Sequence, residues 1–326
     1  MKDLRSDVLP TSAPVDTIGG RRNLDYMDTN TKRAIVVGID GSANSEAALE
    51  WAVAEASRRK LRLTLFCAGI RSISGSEAVY YDAEMSAASA REALAHAHEH
   101  LAAAVSRAGE ISPELSITIE GVTDFPAGGL VELSGHADTV VVGRSGHGPL
   151  MGAALGSVAL QVLTHARCPV VVVHETQGDM PVAKGVVVGI DGSDVSELAI
   201  GYAFEQAALR GVHLDVVHAW WIAALGGLTQ EIKTDMATQQ RLEVSETVVG
   251  WREKYPDVEV RTCLPIGPAV LSLTEAAKNA ELLVVGSRGR GGFASLLLGS
   301  VSQGVLQHAA CTVAVVRARS VDSVTT

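Results

Sequence analysis

Two stretches of the chain combine residue types and spacings suited to holding phosphate. One runs Leu282-Leu283-Val284-Val285-Gly286-Ser287-Arg288-Gly289 and on to Gly299-Ser300-Val301. The other runs Val140-Val141-Val142-Gly143-Arg144-Ser145-Gly146 and on to Gly156-Ser157-Val158. Each reads as an apolar strand, then G-x2-G, nine residues, and G-S. Glycines just after a strand free the backbone to turn and let successive N–H groups face one point. The second G-S opens a helix, whose first N–H groups lack intrahelical partners and whose dipole favours an anion. The bland alternative is a Gly-rich strand-to-helix turn that serves only to fit its neighbours.

A carboxylate accompanies each glycine loop. Ala34-Ile35-Val36-Val37-Gly38-Ile39-Asp40-Gly41-Ser42 and Gly185-Val186-Val187-Val188-Gly189-Ile190-Asp191-Gly192-Ser193 are apolar runs ending in Asp-Gly-Ser. Such runs predict buried parallel strands that stop in a turn. If the first and fourth strands of a unit are neighbours, with helices leaving on opposite faces, their carboxyl ends form the crevice where open α/β sheets bind ligands. Asp40 and Asp191 would then accept bonds from a ribose hydroxyl or an adenine amine while the glycine loops take phosphates. The competing role for both aspartates is to cap the following turn or helix.

The elements that must position these groups alternate strand and helix. After a charged, Ser/Thr/Pro-bearing arm over 1–31 that predicts disorder, strands fall at Ala34–Ile39, Leu61–Ala68, Leu115–Ile119, Thr139–Val142 and Pro169–Val173. Helices follow Ser45-Glu46, span Asp82–Arg107, Pro126–His136 and Ser157–Ala166, and interleave with the strands. The whole set returns in the second half: Asp191 follows Asp40 by 151 residues, and Gly286 follows Gly143 by 143. Its strands fall at Gly185–Ile190, Leu214–Trp220, Val258–Leu264, Ala280–Val285 and Thr312–Val316, its long helix at Thr229–Lys254 and its last helix at Ser300–Ala309. This predicts two homologous doubly wound α/β domains in tandem, over 32–176 and 183–319, with a short tail at 320–326.

Composition narrows the partners. The 326 residues carry a net charge of −10, leaving no domain-wide basic surface for a general nucleic-acid binder. Cys67, Cys168, Cys263 and Cys311 show no C-x-x-C spacing and read as buried, reduced thiols. No apolar run approaches a membrane span and no signal-peptide core opens the chain, so the expectation is a cytoplasmic protein.

Val-Gly-Ile-Asp-Gly-Ser after the first strand, together with G-x2-G-x9-G-S after the fourth, resembles the universal stress protein family in its ATP-binding class. The resemblance covers nearly everything from Ala34 to Arg317, twice, in the manner of a tandem actinobacterial member. It implies a five-stranded parallel sheet of order 3-2-1-4-5 in each domain, ATP with Mg as a candidate companion, and pairing through the fifth strands. In a tandem chain that pairing can be satisfied internally, with a homodimer of chains as a further candidate. Carried over by residue, the aspartate is Asp40 or Asp191. The first phosphate loop is Gly143, Arg144, Ser145, Gly146, His147 and Gly148, closed by Gly156, Ser157 and Val158. The second is Gly286, Ser287, Arg288, Gly289, Arg290 and Gly291, closed by Gly299, Ser300 and Val301. Gly38 and Gly189 would let the ligand approach the first strand, with adenine near Ala68 and Ala219. Two arginines in the second loop, against Arg144 and a titratable His147 in the first, imply tighter triphosphate binding at the second site near neutral pH.

His96, His98 and His100 on the long helix read as a polar, solvated face rather than a metal site. Trp220-Trp221 reads as core or pocket rim. No P-loop signature and no nucleophile with its base is present. The function expected is therefore an ATP-binding sensor or regulator that signals to a protein partner. The alternatives are a weak ATPase or nucleotidyl-transfer enzyme of related fold, and a structural tandem with empty sites.

Overall fold

The computed structural model describes residues 34–68, 83–122, 125–146, 155–174, 185–220, 230–291 and 297–317. His147, Gly148, Trp221, the 1–31 arm and the 320–326 tail lie outside them.

In the first half the elements are β1 (Ala34–Gly38), α1 (Ala43–Arg59), β2 (Arg62–Ala68), α2 (Ala83–Ile111), β3 (Ile117–Val122), α3 (Pro126–Leu133), β4 (Thr139–Gly143), α4 (Ser157–His165) and β5 (Val170–Val173). The second half repeats them as β6 (Val186–Gly189), α5 (Asp194–Arg210), β7 (Leu214–Val217), α6 (Gln230–Lys254), β8 (Val260–Cys263), α7 (Ala269–Ala276), β9 (Leu282–Gly286), α8 (Ser300–His308) and β10 (Thr312–Val316).

The strands lie in one sheet of order β3-β2-β1-β4-β5-β10-β9-β6-β7-β8. Pairing is parallel throughout each half, so each half has the order 3-2-1-4-5. The seam is antiparallel, with Val172 opposite Val313 and Val170 opposite Val315. The two fifth strands thus satisfy each other inside one chain, and neither is left as an open edge.

The continuous apolar runs follow from burial on both faces. Ile35 and Val37 enter a core with α1, α2, α5 and α6. Val36, between them, enters a second core with α3, α4, α7 and α8. Both cores continue across the seam from one half to the other. Ser42 and Ser193 cap α1 and α5, accepting from Ser45 N–H at 3.2 Å and Ser196 N–H at 3.3 Å.

Four departures from the sequence reading have local causes. Cys263, expected to be buried, is exposed at the end of the edge strand β8. The helix α7, to which the sequence reading assigned no counterpart, opens after Pro268, which has the extended backbone of an N-cap. β7 stops at Val217; beyond it the His218 N–H still donates to Cys263 O at 3.0 Å, and an isolated bridge joins Trp220 to Ile266. α2 runs on to Ile111 past Arg107, because Ala108 is still fully buried against the core.

The face carrying α1 and α5 also holds a polar network that crosses between the halves. The Glu55 carboxylate, fully buried, accepts from Gln206 Nε2 at 2.6 Å and from Arg210 Nη2 at 2.9 Å. Arg210 Nε donates to Glu281 at 2.9 Å, and its guanidinium lies 5.6 Å from the Trp51 ring centroid. Arg59 repeats the arrangement, joining Asp138 of its own half to Glu205 of the other at 2.7 Å.

Candidate functional site

Each crevice starts where β1 or β6 ends. Gly41 and Gly192 both adopt φ +77°, a left-handed conformation that glycine takes without strain, and this turn carries the chain into the helix cap. Asp40 Oδ1 accepts from the Ser42 N–H at 3.0 Å and the Ser42 hydroxyl at 2.6 Å. Asp191 Oδ1 accepts from the Ser193 N–H and hydroxyl at the same distances. One oxygen of each carboxylate therefore does belong to the turn.

The second oxygen meets the glycine loop. β1 pairs with β4 and β6 with β9, which sets the two strand ends side by side. A Cβ on Gly146 would fall on Asp40 Oδ2, and a Cβ on Gly289 would fall on Asp191 Oδ2. In the second half the Arg290 N–H donates to Asp191 Oδ2 at 2.7 Å. Burial raises the Asp191 pKa, but the bonds from the Ser193 hydroxyl, the Arg290 N–H and the Ser193 N–H outweigh it and hold the carboxyl below its usual range. It is an ionised acceptor at neutral pH.

The loops are pinched shut at the base. Gly156 N–H donates to Arg144 O and Gly299 N–H to Ser287 O, both at 2.8 Å. The starts of α4 and α8 are thereby brought to the ends of β4 and β9. Gly156 and Gly299 are extended N-caps with no side-chain cap bond. Ser157 and Ser300 are exposed there, and Val158 and Val301 are half-buried beside them.

Four of the expected glycines lie against helices. Cβ atoms on Gly143 and Gly286 would meet Asn44 at 2.8 Å and Val195 at 3.0 Å, in the first turns of α1 and α5. Cβ atoms on Gly38 and Gly189 would meet Leu130 at 3.2 Å and Leu273 at 2.8 Å. These four are small because helices lie against them. Among the described residues nothing lies within 4 Å of a Cβ built on Gly291.

The side chains sort differently from the sequence expectation. Arg144, expected on phosphate, bonds Gln307 O across the seam at 2.6 Å and His174 Nδ1 of its own half at 3.2 Å. Ser145 accepts from Asn44 Nδ2 at 3.1 Å, and Ser287 is buried. Arg290 arches over the turn, with Nη2 3.4 Å from Gly192 O. In the first half the His100 ring stands over Gly41, in the space where a Cβ would go. His100 was expected on a solvated face together with His96 and His98; those two are exposed, while His100 roofs the Asp40 turn. Among the described residues no group of three or more His, Cys, Asp or Glu is placed to hold a metal.

Ala68 ends β2 opposite Val122. Ala219 follows His218, whose Nδ1 bonds Ile190 O at 2.9 Å, directly before Asp191, and whose Nε2 lies 2.7 Å from Gln240 Oε1. His218 escaped the sequence reading because its counterpart in the first half is Cys67, so the repeat gave no signal.

His174 yields a pH prediction. Its Nδ1 accepts from Arg144, its buried Nε2 has no hydrogen-bond partner among the described residues, and burial followed by the Arg144 charge pushes its pKa down to about 4. The unfolded imidazole titrates near about 6.5, so the unfolded chain binds more protons between these values. Stability contributed by His174 is present above that window and falls as pH drops through it. The loss of urea midpoint between neutral pH and pH ~4.5 is expected to be smaller in His174→Asn than in the parent chain.

The fold agrees with what the chain is similar to. The model of the universal stress protein family matches residues 32–174 and 183–317. A universal stress protein of Mycobacterium tuberculosis is 37% identical over 296 residues, covering 88% of this chain and 97% of its own. One from Mycolicibacterium smegmatis is 38% identical over 297 residues, covering 89% and 98%. A universal stress protein from Archaeoglobus fulgidus, known as a crystal structure, shares the fold at 20% identity, with a TM-score of 0.60 over 88% of this chain and 97% of that one. No described helix is long and apolar enough to cross a membrane. Matched twice along its length and aligned nearly end to end with tandem relatives, the chain belongs to the universal stress protein family.

Proposed function

We propose that the chain binds ATP, with Mg on its phosphates, in both crevices and acts as a stress-response regulator rather than an efficient catalyst. The observation that carries this reading is the convergence, in each half, of a carboxylate oxygen on a glycine loop beside a helix start. The N–H groups of Gly146 and Gly289 and those opening α4 and α8 are the phosphate donors. Arg288 and Arg290 add positive charge at the second site. Asp40 and Asp191 accept from ribose or adenine, and adenine lies toward Ala68 and Ala219. Arg144, Gly38 and Gly189 are left out of the ligand set, since Arg144 is bonded across the seam and the two glycines face leucines.

The binding groups are acceptors, backbone donors and guanidinium groups, which hold a nucleotide in place. Regulation follows if the loops exchange their present partners for nucleotide: the Arg290 N–H, now on Asp191, is freed when Asp191 turns to the ligand. A partner protein would read that change.

The test is to denature the purified chain and identify and count the nucleotide released. One ATP per crevice is expected. ADP in place of ATP would favour the weak ATPase or nucleotidyl-transfer alternative. No nucleotide, followed by no binding on titration with MgATP, would overturn the reading in favour of a structural tandem.

A further inference from the structure

The two crevices are mechanically joined. Arg144 belongs to the first glycine loop: its N–H donates to Val173 O at 3.0 Å and its carbonyl accepts from Gly156 at the start of α4. Its guanidinium reaches into the other half and donates to Gln307 O, in the last turn of α8. The first turn of α8, at Ser300 and Val301, is part of the second cradle. One end of α8 is therefore held by the first site and the other end lines the second.

The reverse tie exists as well. Arg317 directly follows β10, where Val316 O accepts from Ser287 N–H of the second loop at 2.6 Å. Its guanidinium donates to Leu163 O at 2.9 Å, to Thr164 O at 3.2 Å and to Ala166 O, which together close the C-terminus of α4. The first turn of α4, at Ser157 and Val158, is part of the first cradle. Arginine at a helix C-terminus satisfies orphan carbonyls and complements the dipole. Here each arginine does so for a helix of the opposite half.

A nine-residue helix is on the order of 13 Å long and resists axial compression through its hydrogen-bond ladder. A displacement at one end is therefore delivered to the other. Arg288 supplies an electrical link: the Arg317 guanidinium is disfavoured first by burial and then by the like charge of Arg288. Phosphate bound at the second loop would neutralise Arg288 and strengthen the hold of Arg317 on α4.

We propose that the crevices are coupled through α4 and α8 by Arg144 and Arg317, so that nucleotide held in one raises the affinity of the other. This rests on the nucleotide-binding reading above. The first ligand orders a loop and, through its arginine, the helix that the second ligand would otherwise have to order itself. Linkage makes the effect reciprocal.

The experiment titrates MgATP into the full chain by calorimetry, in matched backgrounds. Gly146→Val and Gly289→Val each silence one crevice and give the single-site constants. In the parent chain the overall two-site constant is expected to exceed the product of those constants by about five-fold or more. In chains also carrying Arg144→Gln and Arg317→Gln, the ratio falls to about one, whatever happens to the single-site constants themselves. Arg144→Lys keeps the charge but loses the forked geometry. It is expected to give an intermediate ratio, and it provides a readable variant if the double replacement melts. A parent ratio of one, or a ratio that survives both arginine replacements, would overturn the coupling while leaving nucleotide binding intact. No heat of binding in any chain would overturn the nucleotide reading itself, and the coupling with it.

Discussion

Replacing Glu55 by alanine is expected to cost the folded chain about 3–5 kcal/mol, the scale for removing one partner from a buried ion pair. The Glu55 side chain is 0% exposed and that of Arg210 1% exposed. With Glu55 gone, Arg210 keeps Glu281, but its second nitrogen and the Gln206 amide lose their acceptor in a place water does not reach. Leaving such donors unsatisfied incurs their full desolvation penalty. Glu55→Gln retains an acceptor oxygen and should lose less. Because the network lies between α1 and α5, the loss should fall on the docking of the halves. Urea unfolding of Glu55→Ala should therefore show a lower midpoint, and a second transition if the halves come apart before they unfold. The control is Glu50→Ala: the Glu50–Arg107 pair has the same chemistry, but its side chains are 51% and 52% exposed, so its loss should barely move the midpoint. Equal midpoints for the Glu55→Ala and Glu50→Ala chains would show that the buried network contributes nothing net.

That network illustrates what the sequence could not disclose. The sheet was legible because its signals are local: an unbroken run such as Val140–Val142 is a buried strand wherever its partners lie, and Asp-Gly-Ser stops it. The internal repeat then fixed the element order, and the resemblance supplied 3-2-1-4-5. Glu55, Gln206 and Arg210, by contrast, stand on helix faces that look solvated in isolation. Only the antiparallel meeting of β5 and β10 turns α1 toward α5 and buries them. The same limit governs the site. Asp40 and Asp191 meet the glycine loops, an adjacency that follows from fold logic rather than from spacing. Arg144 sits in the right loop, but its long side chain is free to follow the nearest strong acceptor, and that acceptor, Gln307 O, is supplied by the other half. His100 is on a helix 59 residues from Gly41, so nothing in their spacing pairs them.

Gly289→Ala is expected to remove ATP from the second crevice, with an affinity loss of about 100-fold or more. Gly289 carries no positive φ, so alanine there meets no backbone penalty; its methyl simply falls on Asp191 Oδ2. Either the carboxylate swings away from the ligand or the loop lifts off the phosphates. Hydrogen bonds to charged groups are worth about 1.5–3 kcal/mol each, and every ~1.4 kcal/mol is tenfold in affinity, so losing two of them yields the stated factor. Gly291→Ala is the matched control, two residues further along the loop, where a Cβ would meet no atom of the described residues within 4 Å. Titration with MgATP should find one site instead of two in the Gly289→Ala chain and two in the Gly291→Ala chain. Gly146→Ala should silence the first crevice by the same collision with Asp40. If both alanines prove harmless, the carboxylates do not face the nucleotide. The Asp-Gly-Ser turn would then be a cap and nothing more, and any nucleotide the chain holds would have to sit on the helix starts alone. The two glycines therefore discriminate between a binding crevice and a well-fitted turn more sharply than the aspartates themselves. Replacing Asp191 would also remove the bonds that Ser193 donates to it, and so perturb the start of α5 together with the site.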